Sequence, residues 1–292
     1  MKWLLKLSAK VVLSRLGIPY ELWRKAGLFR HGQMDSYEYA VKIFQLHASR
    51  AFPQGDLSGK TVLEIGPGDS LASAVIGRAL GAGRIILVDA GRFATVDFGF
   101  YRSLAAQLSA CGYRSPDLAG VDTLQGMLSA CQAEYLTSGV SSFSELGDAT
   151  VDYAWSHSVL EHIPKSELPE LMAQLRRVLR PEGVMSHNID FQDHLDYSLN
   201  SLRFSEADWE APLMRGAGFY TNRVRATEMH QLIRSAGFHI VEEEFGRWPA
   251  LPMPRKKLHP DFRGLSDDEL RIRTSYVLAR AAAVPCSGGT AQ

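Results

Sequence analysis

A glycine-rich turn is the part of the sequence best suited to hold a ligand. Residues 64–70 read Glu-Ile-Gly-Pro-Gly-Asp-Ser and lie between a predicted strand at 61–66 and a predicted helix at 71–80. Glycines in such a turn let the backbone approach a ligand closely, and the first N–H groups of the helix can meet its polar end. Asp89 ends the next apolar run, where a carboxylate can accept both hydroxyl groups of a ribose. The spacing predicts a site for an adenosine-containing ligand.

Two features of the turn distinguish between ligands of this class. A dinucleotide motif places a third glycine three residues after Gly68, but the sequence has Leu71 there, which would obstruct close helix packing at a pyrophosphate. Glu64 stands just before the turn, and its charge would repel a phosphate but suits a cationic amino-acid end. Both features favour S-adenosylmethionine over NAD, and an NAD-type oxidoreductase is the enzymatic alternative.

A second group of chemically capable residues follows the fifth predicted strand. Residues 187–194 read His-Asn-Ile-Asp-Phe-Gln-Asp-His, and ligands bind at the carboxyl ends of the strands in parallel sheets. Asp190 and Asp193 could orient the imidazole of His194 as a general base for a substrate hydroxyl, and this is the catalytic role we predict. The same atoms could instead hold a divalent cation, or the carboxylates could cap the next helix while His194 packs.

The sequence predicts no metal site. Its three cysteines, at positions 111, 131 and 286, are far apart and form no zinc-binding pattern. His157 and His162 are separated by four residues, but no third ligand lies nearby in the sequence. We therefore expect His162 to cap or pack its own turn.

Aromatic and polar residues mark the stretch 190–226, which lacks clear periodicity and is predicted to be an insertion that faces the substrate. Aromatic rings with one or two fixed guanidinium groups suit a sugar ring, an anionic small molecule or a lipid-linked glycan. The alternative is that these residues form the core of a lid. The predicted substrate contacts are Arg203, Trp209, Tyr220, Asn222 and Arg223.

The candidate residues can form one site only if a sheet brings the ends of their strands together. From residue 60 onward, short apolar runs alternate with helical periodicity, which is typical of a parallel sheet covered by helices on both faces. The last two strands alternate apolar and charged residues and are expected to pair antiparallel at one edge, joined by an exposed loop at 247–260. The predicted strands are 61–66, 84–89, 133–137, 151–157, 184–190, 238–245 and 275–281, and the predicted helices are 71–80, 101–110, 121–130, 167–179 and 227–236.

Three motifs together resemble class I S-adenosylmethionine-dependent methyltransferases, in particular a type 11-like bacterial group encoded with glycan or secondary-metabolite pathways. The motifs are the turn at 64–70, Asp89, and a segment that starts at Asp152 and contains His-Ser-Val-Leu-Glu-His at 157–162. The resemblance spans residues 58–245, and 275–281 matches the last strand of the family. It implies an α/β fold with a doubly wound, mostly parallel seven-stranded sheet and one antiparallel edge strand. An N-terminal helical segment at 1–57 would precede a methyltransferase domain at 58–292 that contains the insertion.

The resemblance also implies where S-adenosylmethionine binds. The glycine turn would surround its methionine end, Asp89 would bind the ribose, Ser138 would reach the adenine, and His157 with Ser158 would line the floor. An acidic residue that the family often has after the third strand is missing at 137–139. The implied contacts are Glu64, Gly66, Pro67, Gly68, Ser70, Asp89, Ala90, Ser138, His157 and Ser158.

The predicted activity is methyl transfer from S-adenosylmethionine to an oxygen atom of a small molecule or glycan. A non-catalytic cofactor-binding scaffold in a membrane-associated pathway is the alternative outside the enzymes. The chain has 32 basic and 32 acidic residues, and this zero net charge argues against a nucleic acid partner. The Asp/Asn-Pro-Pro-Tyr/Phe motif of adenine methylation is also missing after the fourth strand, where His157 and Ser158 stand.

Residues 1–20 combine basic and apolar side chains at helical spacing. Lys2, Lys6 and Lys10 share one stripe beside an apolar one, and no acidic residue occurs before Glu21. Such a helix could pack its apolar side on the catalytic domain, or it could lie on an anionic membrane surface. We expect a cytoplasmic protein, with the inner face of the membrane as the place of that peripheral contact.

Overall fold

Seven strands form one sheet in the computed structural model, which describes residues 34–95 and 97–282 together with Leu7. The strands are β1 (Thr61–Ile65), β2 (Arg84–Val88), β3 (Ala133–Leu136), β4 (Val151–His157), β5 (Leu179–Asp190), β6 (Phe238–Arg247) and β7 (Ile272–Ala281). Their order across the sheet is β3-β2-β1-β4-β5-β7-β6. Strands β1 to β5 pair in parallel, whereas β7 is antiparallel to β5 and to the outermost strand β6. The predicted doubly wound sheet with an antiparallel pair at one edge is confirmed.

Helices of very different length accompany this sheet. They are α1 (Tyr37–Ala51), α2 (Ala72–Ala79), α3 (Phe98–Ala110), α4 (Leu124–Cys131), α5 (Leu168–Val178), α6 (Glu206–Trp209), α7 (Pro212–Arg215), α8 (Ala226–Ser235), α9 (Pro260–Arg263) and α10 (Asp267–Leu270). Short 3-10 helices lie at Gly139–Glu145, Leu160–His162, Asn200–Arg203 and Arg255–Lys257. The long helices coincide with the predicted ones to within three residues at each end, and α1 was not delimited from the sequence.

The long helices cover both faces of the sheet, which explains why its inner strands are apolar throughout. In β1, Val62 packs among residues of α1 to α4, and the next residue, Leu63, packs among residues of α5 and α8. Successive side chains of a strand point to opposite faces, so a strand covered on both sides has no solvent-facing positions. The edge strand β6 differs, because it alternates buried and exposed residues and carries three consecutive acids at 242–244. Charged residues of this kind suit an unpaired strand edge.

Helix α1 belongs to the predicted N-terminal segment and packs directly on the sheet. Its residues Ile43 and Phe44 are buried in the same cluster as Val62 of β1. Of the basic segment 1–20, the structure describes only Leu7, which is half-buried and packs against the apolar cluster of the insertion. The predicted membrane contact therefore lies outside the described residues. Within 34–95 and 97–282, no helix has both the length and the apolar character to cross a bilayer.

The insertion after β5 has an apolar core of its own. Helices α6 and α7 pack around Trp209, Phe219 and Tyr220. A further cluster joins this insertion to the segment between β6 and β7, where Met253 and Leu258 are buried against Leu202 and its neighbours. The prediction of an exposed loop at 247–260 was wrong in this respect, because part of that segment is packed as a cover over the insertion.

Candidate cofactor and acceptor site

The glycine turn lies between β1 and α2 and is held against the loop that follows β4. Gly66 and Gly68 have positive φ angles of 71° and 65°, a conformation that glycine adopts without steric cost. A Cβ atom on Gly66 would lie 2.5 Å from Cγ2 of Val159, so the two loops touch at van der Waals distance. Gly66 is thus required both by its backbone conformation and by the close approach of Val159.

Asp89 lies directly beside this turn, at the end of β2. Its carboxylate accepts hydrogen bonds from the backbone N–H of Gly68 at 2.9 Å and from that of Ala90 at 2.7 Å. Burial raises the pKa of Asp89 to about 6, and the two amides partly offset this effect. Each carboxylate oxygen can accept a further hydrogen bond, so the side chain can still receive hydroxyl groups of a ligand.

Glu64 is the residue whose surroundings point most directly to a bound cation. It is only 4% exposed, and its Oε2 atom has no hydrogen-bond partner. Burial raises its pKa to about 8, and the nearby charge of Asp89 adds to this rise. A buried carboxylate without a partner is costly, and a ligand with a positively charged amino group would remove much of that cost. Glu64 therefore fits the methionine end of S-adenosylmethionine.

The loop after β3 closes the side of the site where an adenine is expected. Gly139 donates its N–H to the carbonyl oxygen of Asp89 at 2.8 Å, and the N–H of Ser138 bonds to Oγ of Ser142 at 3.0 Å. The loop that carries Ser138 thus lies against Asp89 and Ala90, and contact of Ser138 with the adenine stays a prediction. Ser70 accepts the N–H of Ala72 at 3.2 Å, which places it at the start of α2 after Pro67 and Gly68. Leu71 is fully buried where a dinucleotide motif would have its third glycine.

His157 and Ser158 lie at the end of β4, between the glycine turn and β5. Ser158 has a positive φ of 55° and donates its N–H to the carbonyl oxygen of Asn188 at 2.8 Å. Nδ1 of His157 is 3.1 Å from Nε2 of His47, whose other ring nitrogen is 2.8 Å from Oγ of Ser186. Burial lowers the pKa of His157 to about 4, so this ring is neutral at physiological pH.

His47 was missed by the sequence analysis. It is fully buried on α1 and connects that helix to the floor of the site through His157 and Ser186. The sequence gives no signal for this role, because a single histidine on the apolar side of a helix usually packs in a core.

On the acceptor side, the structure brings two of the three predicted base residues together. Nε2 of His194 lies 4.0 Å from Oδ2 of Asp190, the last residue of β5. The other carboxylate oxygen of Asp190 accepts the backbone N–H and the side-chain amide of Gln192. Burial raises the pKa of Asp190, and the hydrogen bonds from Gln192 partly oppose that rise. Asp190 therefore has one oxygen directed at the His194 imidazole.

Asp193, the third predicted base residue, has a different role. Its carboxylate is buried and accepts hydrogen bonds from the backbone N–H groups of Leu195, Asp196, Ser198 and Asn200. Nδ2 of Asn200 also approaches it, at 3.3 Å. The side chain is saturated by its own loop, so it organises the backbone that carries His194. We therefore leave Asp193 out of the catalytic group.

A group of three potential ligands also lies at this edge. One ligand atom from each of Glu161, His162 and His194 can be chosen so that all three lie within 4.8 Å of one another. The His162 and His194 rings are 4.7 Å apart and nearly perpendicular. Both carboxylate oxygens of Glu161 are buried and make no well-formed hydrogen bond. Burial raises the pKa of this residue well above its usual range, and the nearby backbone N–H groups of Glu161 and Asp190 only partly oppose that rise. The sequence analysis compared His162 with His157 and missed this grouping, because His194 follows a different strand.

Four of the five predicted substrate contacts are buried in the insertion instead. Trp209 donates its indole N–H to the carbonyl oxygen of Thr221, and the hydroxyl of Tyr220 donates to Glu210. The guanidinium of Arg223 bonds to the carbonyl oxygen of Phe204 and to the carboxylate of Glu206. These side chains pack within the insertion, as the lid alternative given above expected, and Arg223 also lines a narrow pocket beside Glu161 and Asp190.

Asn222 and Arg203 complete the set of predicted substrate contacts. The Asn222 amide is buried and donates to the carbonyl oxygens of Leu160 and Ile163, which fixes the 3-10 turn that carries Glu161. Besides this positioning role, Asn222 lines the pocket beside Glu161 and Asp190, and its contact with substrate stays a prediction. Arg203 is only half-buried, and it alone of the five keeps some exposed surface.

Solved structures with a similar fold include several methyltransferases. An S-adenosylmethionine-dependent methyltransferase from Mesorhizobium loti is 14% identical, with a TM-score of 0.45 over 85% of this chain and 100% of that one. One from Methanosarcina mazei is 16% identical, with a TM-score of 0.47 over 79% and 96% of the two chains. Phosphoethanolamine N-methyltransferase 2 from Haemonchus contortus is 14% identical, with a TM-score of 0.43 over 80% and 51%. No curated protein sequence matches the chain.

The sequence model of a family described as "Methyltransferase domain" matches residues 36–243. This match includes the glycine turn, Asp89, the loop after β4 and the insertion, and it ends within β6. It covers most of the chain and includes every residue of the cofactor site described above. The chain therefore belongs to the methyltransferase-domain family, and S-adenosylmethionine is its cofactor.

Proposed function

We propose that the protein transfers the methyl group of S-adenosylmethionine to a hydroxyl oxygen of a small molecule or glycan. The observation that supports this most is the position of the Asp190–His194 pair beside the turn at Leu160–His162, which directly follows the contact of Val159 with the glycine turn. Gly66 touches Val159, the turn at Leu160–His162 follows, and β5 delivers Asp190 and His194 next to that turn. The cofactor and acceptor groups thus share one continuous edge of the sheet.

The residues along this edge have separate roles in the reaction. When bound, S-adenosylmethionine supplies a methyl group that its positive sulfonium already activates. Glu64 is suited to hold the cationic amino group of the cofactor, and Asp89 is suited to accept ribose hydroxyls. Holding the methyl donor and the acceptor in line can lower the activation free energy by up to about 7–11 kcal/mol.

Oxygen as the acceptor atom follows from the side chains around it. A hydroxyl must lose its proton during the transfer, whereas an uncharged amine can react before it does so. The acceptor edge offers an imidazole beside a carboxylate, His194 and Asp190, which is a pairing suited to handling such a proton. The insertion packs over the same edge through the carbonyl oxygen of Tyr220, which bonds to His162 at 2.9 Å. A cover at this position favours an acceptor that is small or that presents a single sugar ring.

The test is methyl transfer from labelled S-adenosylmethionine to a panel of sugars, phenols and amines, with the labelled atom of the product identified by mass spectrometry. We expect label on oxygen, and we expect His194→Ala and Asp190→Asn to lower turnover by about 10²–10⁴-fold. Their affinity for S-adenosylhomocysteine should stay at the wild-type value. His239→Ala, which changes an exposed histidine on β6, is the matched control and should keep full activity. Methylation confined to nitrogen or carbon, with both variants fully active, would overturn the proposal.

A further inference from the structure

We propose that Glu161, His162 and His194 bind a divalent transition-metal ion at the carboxyl edge of the sheet. The group combines two imidazoles with one carboxylate, and its ligand atoms lie within 4.8 Å of one another. Zinc and neighbouring first-row ions take such donors at about 2.0–2.2 Å, so binding requires these atoms to close in by about 1 Å. The imidazoles favour Zn²⁺ and similar ions such as Co²⁺ over Mg²⁺, Ca²⁺ and Mn²⁺, which prefer oxygen ligands.

The state of Glu161 is an independent sign that a cation belongs here. This side chain is only 2% exposed, and neither carboxylate oxygen makes a well-formed hydrogen bond, although the backbone N–H groups of Glu161 and Asp190 lie near them. A second carboxylate, that of Asp190, lines a narrow pocket together with Glu161. Two buried cations, Arg223 and Arg225, line this pocket as well, but Arg223 pairs with Glu206 and Arg225 donates to the backbone carbonyl oxygens of Phe191 and Ile272. The hydrogen bonds of both guanidinium groups therefore go to other partners, and a divalent ion would give Glu161 a cation of its own.

The surrounding hydrogen bonds hold the ligands in the way metal sites require. Nδ1 of His162 is 2.9 Å from the carbonyl oxygen of Tyr220, so the ring donates its proton there and keeps its lone pair on Nε2. Imidazole ligands commonly donate their other N–H to a carbonyl in this manner, which fixes the tautomer and the ring orientation. The backbone of Glu161 is fixed as well, because its carbonyl oxygen accepts the N–H of Asn222 at 2.7 Å. Glu161 and His162 are thus presented together by one restrained turn.

The position of the ion connects it to the acceptor, and this part of the inference rests on the proposed function. An ion with three protein ligands keeps coordination positions for a substrate oxygen. An acceptor with two adjacent oxygen atoms, such as a vicinal diol or a catechol, could occupy two of these positions and would bind better than a lone hydroxyl. An imidazole nitrogen bound to the ion cannot also accept the proton of the hydroxyl, so in this arrangement His194 holds the ion that polarises the hydroxyl, and Asp190 is the carboxylate beside it.

Metal binding can be measured without cofactor or acceptor. The full-length protein is stripped with a chelator and titrated with Zn²⁺ by calorimetry and with Co²⁺ by visible absorption. We expect about one ion per chain, and we expect Glu161→Gln and His162→Ala to weaken its binding at least tenfold. His239→Ala is the control and should bind like the wild type. Glu161→Gln keeps the size and shape of the side chain and one oxygen acceptor, so the stripped variant should melt no lower than the stripped wild type. Binding that is lacking in the wild type, or unchanged in both Glu161→Gln and His162→Ala, would overturn the inference.

The activity assay separates this inference from the proposed function. If the ion binds through these residues but no methyl group reaches an oxygen, the metal site stands and the proposed function fails. If transfer to oxygen continues at full rate in the stripped protein, the proposed function stands and the role of the ion in holding the acceptor is overturned. If activity is lost on stripping and returns with Zn²⁺ or Co²⁺, with diols preferred, both the metal site and the proposed function are supported.

Discussion

The two ends of the site are built in different ways. Most of the cofactor end comes from one strand–helix–strand unit, in which β1, the glycine turn and Asp89 follow each other closely in the chain. The acceptor end is assembled from the turn at Leu160–His162, the residues after β5 and the far end of the insertion. Local spacing therefore determines the cofactor end, whereas the acceptor end depends on long-range packing. Aromatic and guanidinium groups that look suited to a substrate are used there to build the lid.

The largest expected effect tests whether the lid core is structural. Trp209 is 0% exposed and packs its ring against Phe204 and Phe219. Trp209→Ala should lower the free energy of unfolding by about 3–5 kcal/mol, because it removes a large buried ring and leaves a cavity. Urea denaturation measures this loss. The control is Tyr197→Ala in the same insertion, where the ring is 71% exposed and the change should stay within about 0.5 kcal/mol.

If Trp209→Ala instead kept its stability and raised only the KM for the acceptor, Trp209 would be a wall of the substrate site. The contrast between the two ends would then be weaker, since a predicted substrate contact would have been right. If Trp209→Ala loses both stability and activity, the contrast between the two ends becomes clearer, because the lid then acts as one packed unit.

The fold was largely predictable because its signals are local. The observed β1, β2, β3 and β4 end within one residue of their predicted bounds, since each is a short apolar run that stops at a turn or polar residue. The pairing of Asp89 with the glycine turn also follows from chain order, because parallel neighbours bring their carboxyl ends to one edge. Such features need no knowledge of the rest of the molecule.

The acceptor end was not predictable in the same way. Nothing in the sequence around Asp193 distinguishes a catalytic carboxylate from one that binds its own loop, as this one does. His47 reaches His157 only because α1 packs across the sheet. The grouping of Glu161, His162 and His194 likewise requires the register of β4 against β5. Each of these depends on contacts between residues far apart in the chain.

The second prediction tests whether cofactor binding requires glycine at position 66. Gly66 and Gly55 have nearly equal φ angles of 71° and 69°, but only at Gly66 would an added Cβ meet another residue, Val159. An alanine with such a positive φ angle lowers the free energy of unfolding by about 1–2 kcal/mol at either position. Gly66→Ala should in addition displace the loop after β4 and weaken S-adenosylhomocysteine binding by about 10–100-fold, or about 1.4–2.8 kcal/mol. Calorimetric titration of both variants separates the two effects.

The matched variant Gly55→Ala should lose stability and keep its affinity for S-adenosylhomocysteine. Adding Val159→Ala to Gly66→Ala removes the methyl groups that the new Cβ meets, and it should restore part of the lost affinity. Equal affinity in Gly66→Ala and Gly55→Ala would show that contact with the loop after β4 is not needed at the cofactor end.

The last prediction concerns the charge of Glu64 and tests the cofactor end most directly. Its pKa is raised to about 8 in the folded protein by burial, so the fold retains a proton that the unfolded chain releases near pH 4.5. Stability should therefore fall as pH rises between these values, and Glu64→Gln should remove this dependence. A cationic amino group bound beside Glu64 favours the ionised form, so binding of S-adenosylhomocysteine should release a proton. Affinity should rise between pH 6 and pH 8 by at most about tenfold per pH unit.

Calorimetry in two buffers of different ionisation enthalpy measures that proton release. The control Glu145→Gln changes an exposed acid outside the site and should keep the wild-type slope. In Glu64→Gln the slope should vanish and the affinity at pH 8 should fall, because the variant lacks the charge that the amino group would meet. A wild-type affinity that does not change with pH would place the amino-acid end of the cofactor away from Glu64. The cofactor end would then resemble the acceptor end, because in both a residue type suited to the ligand would not have identified the residue that binds it.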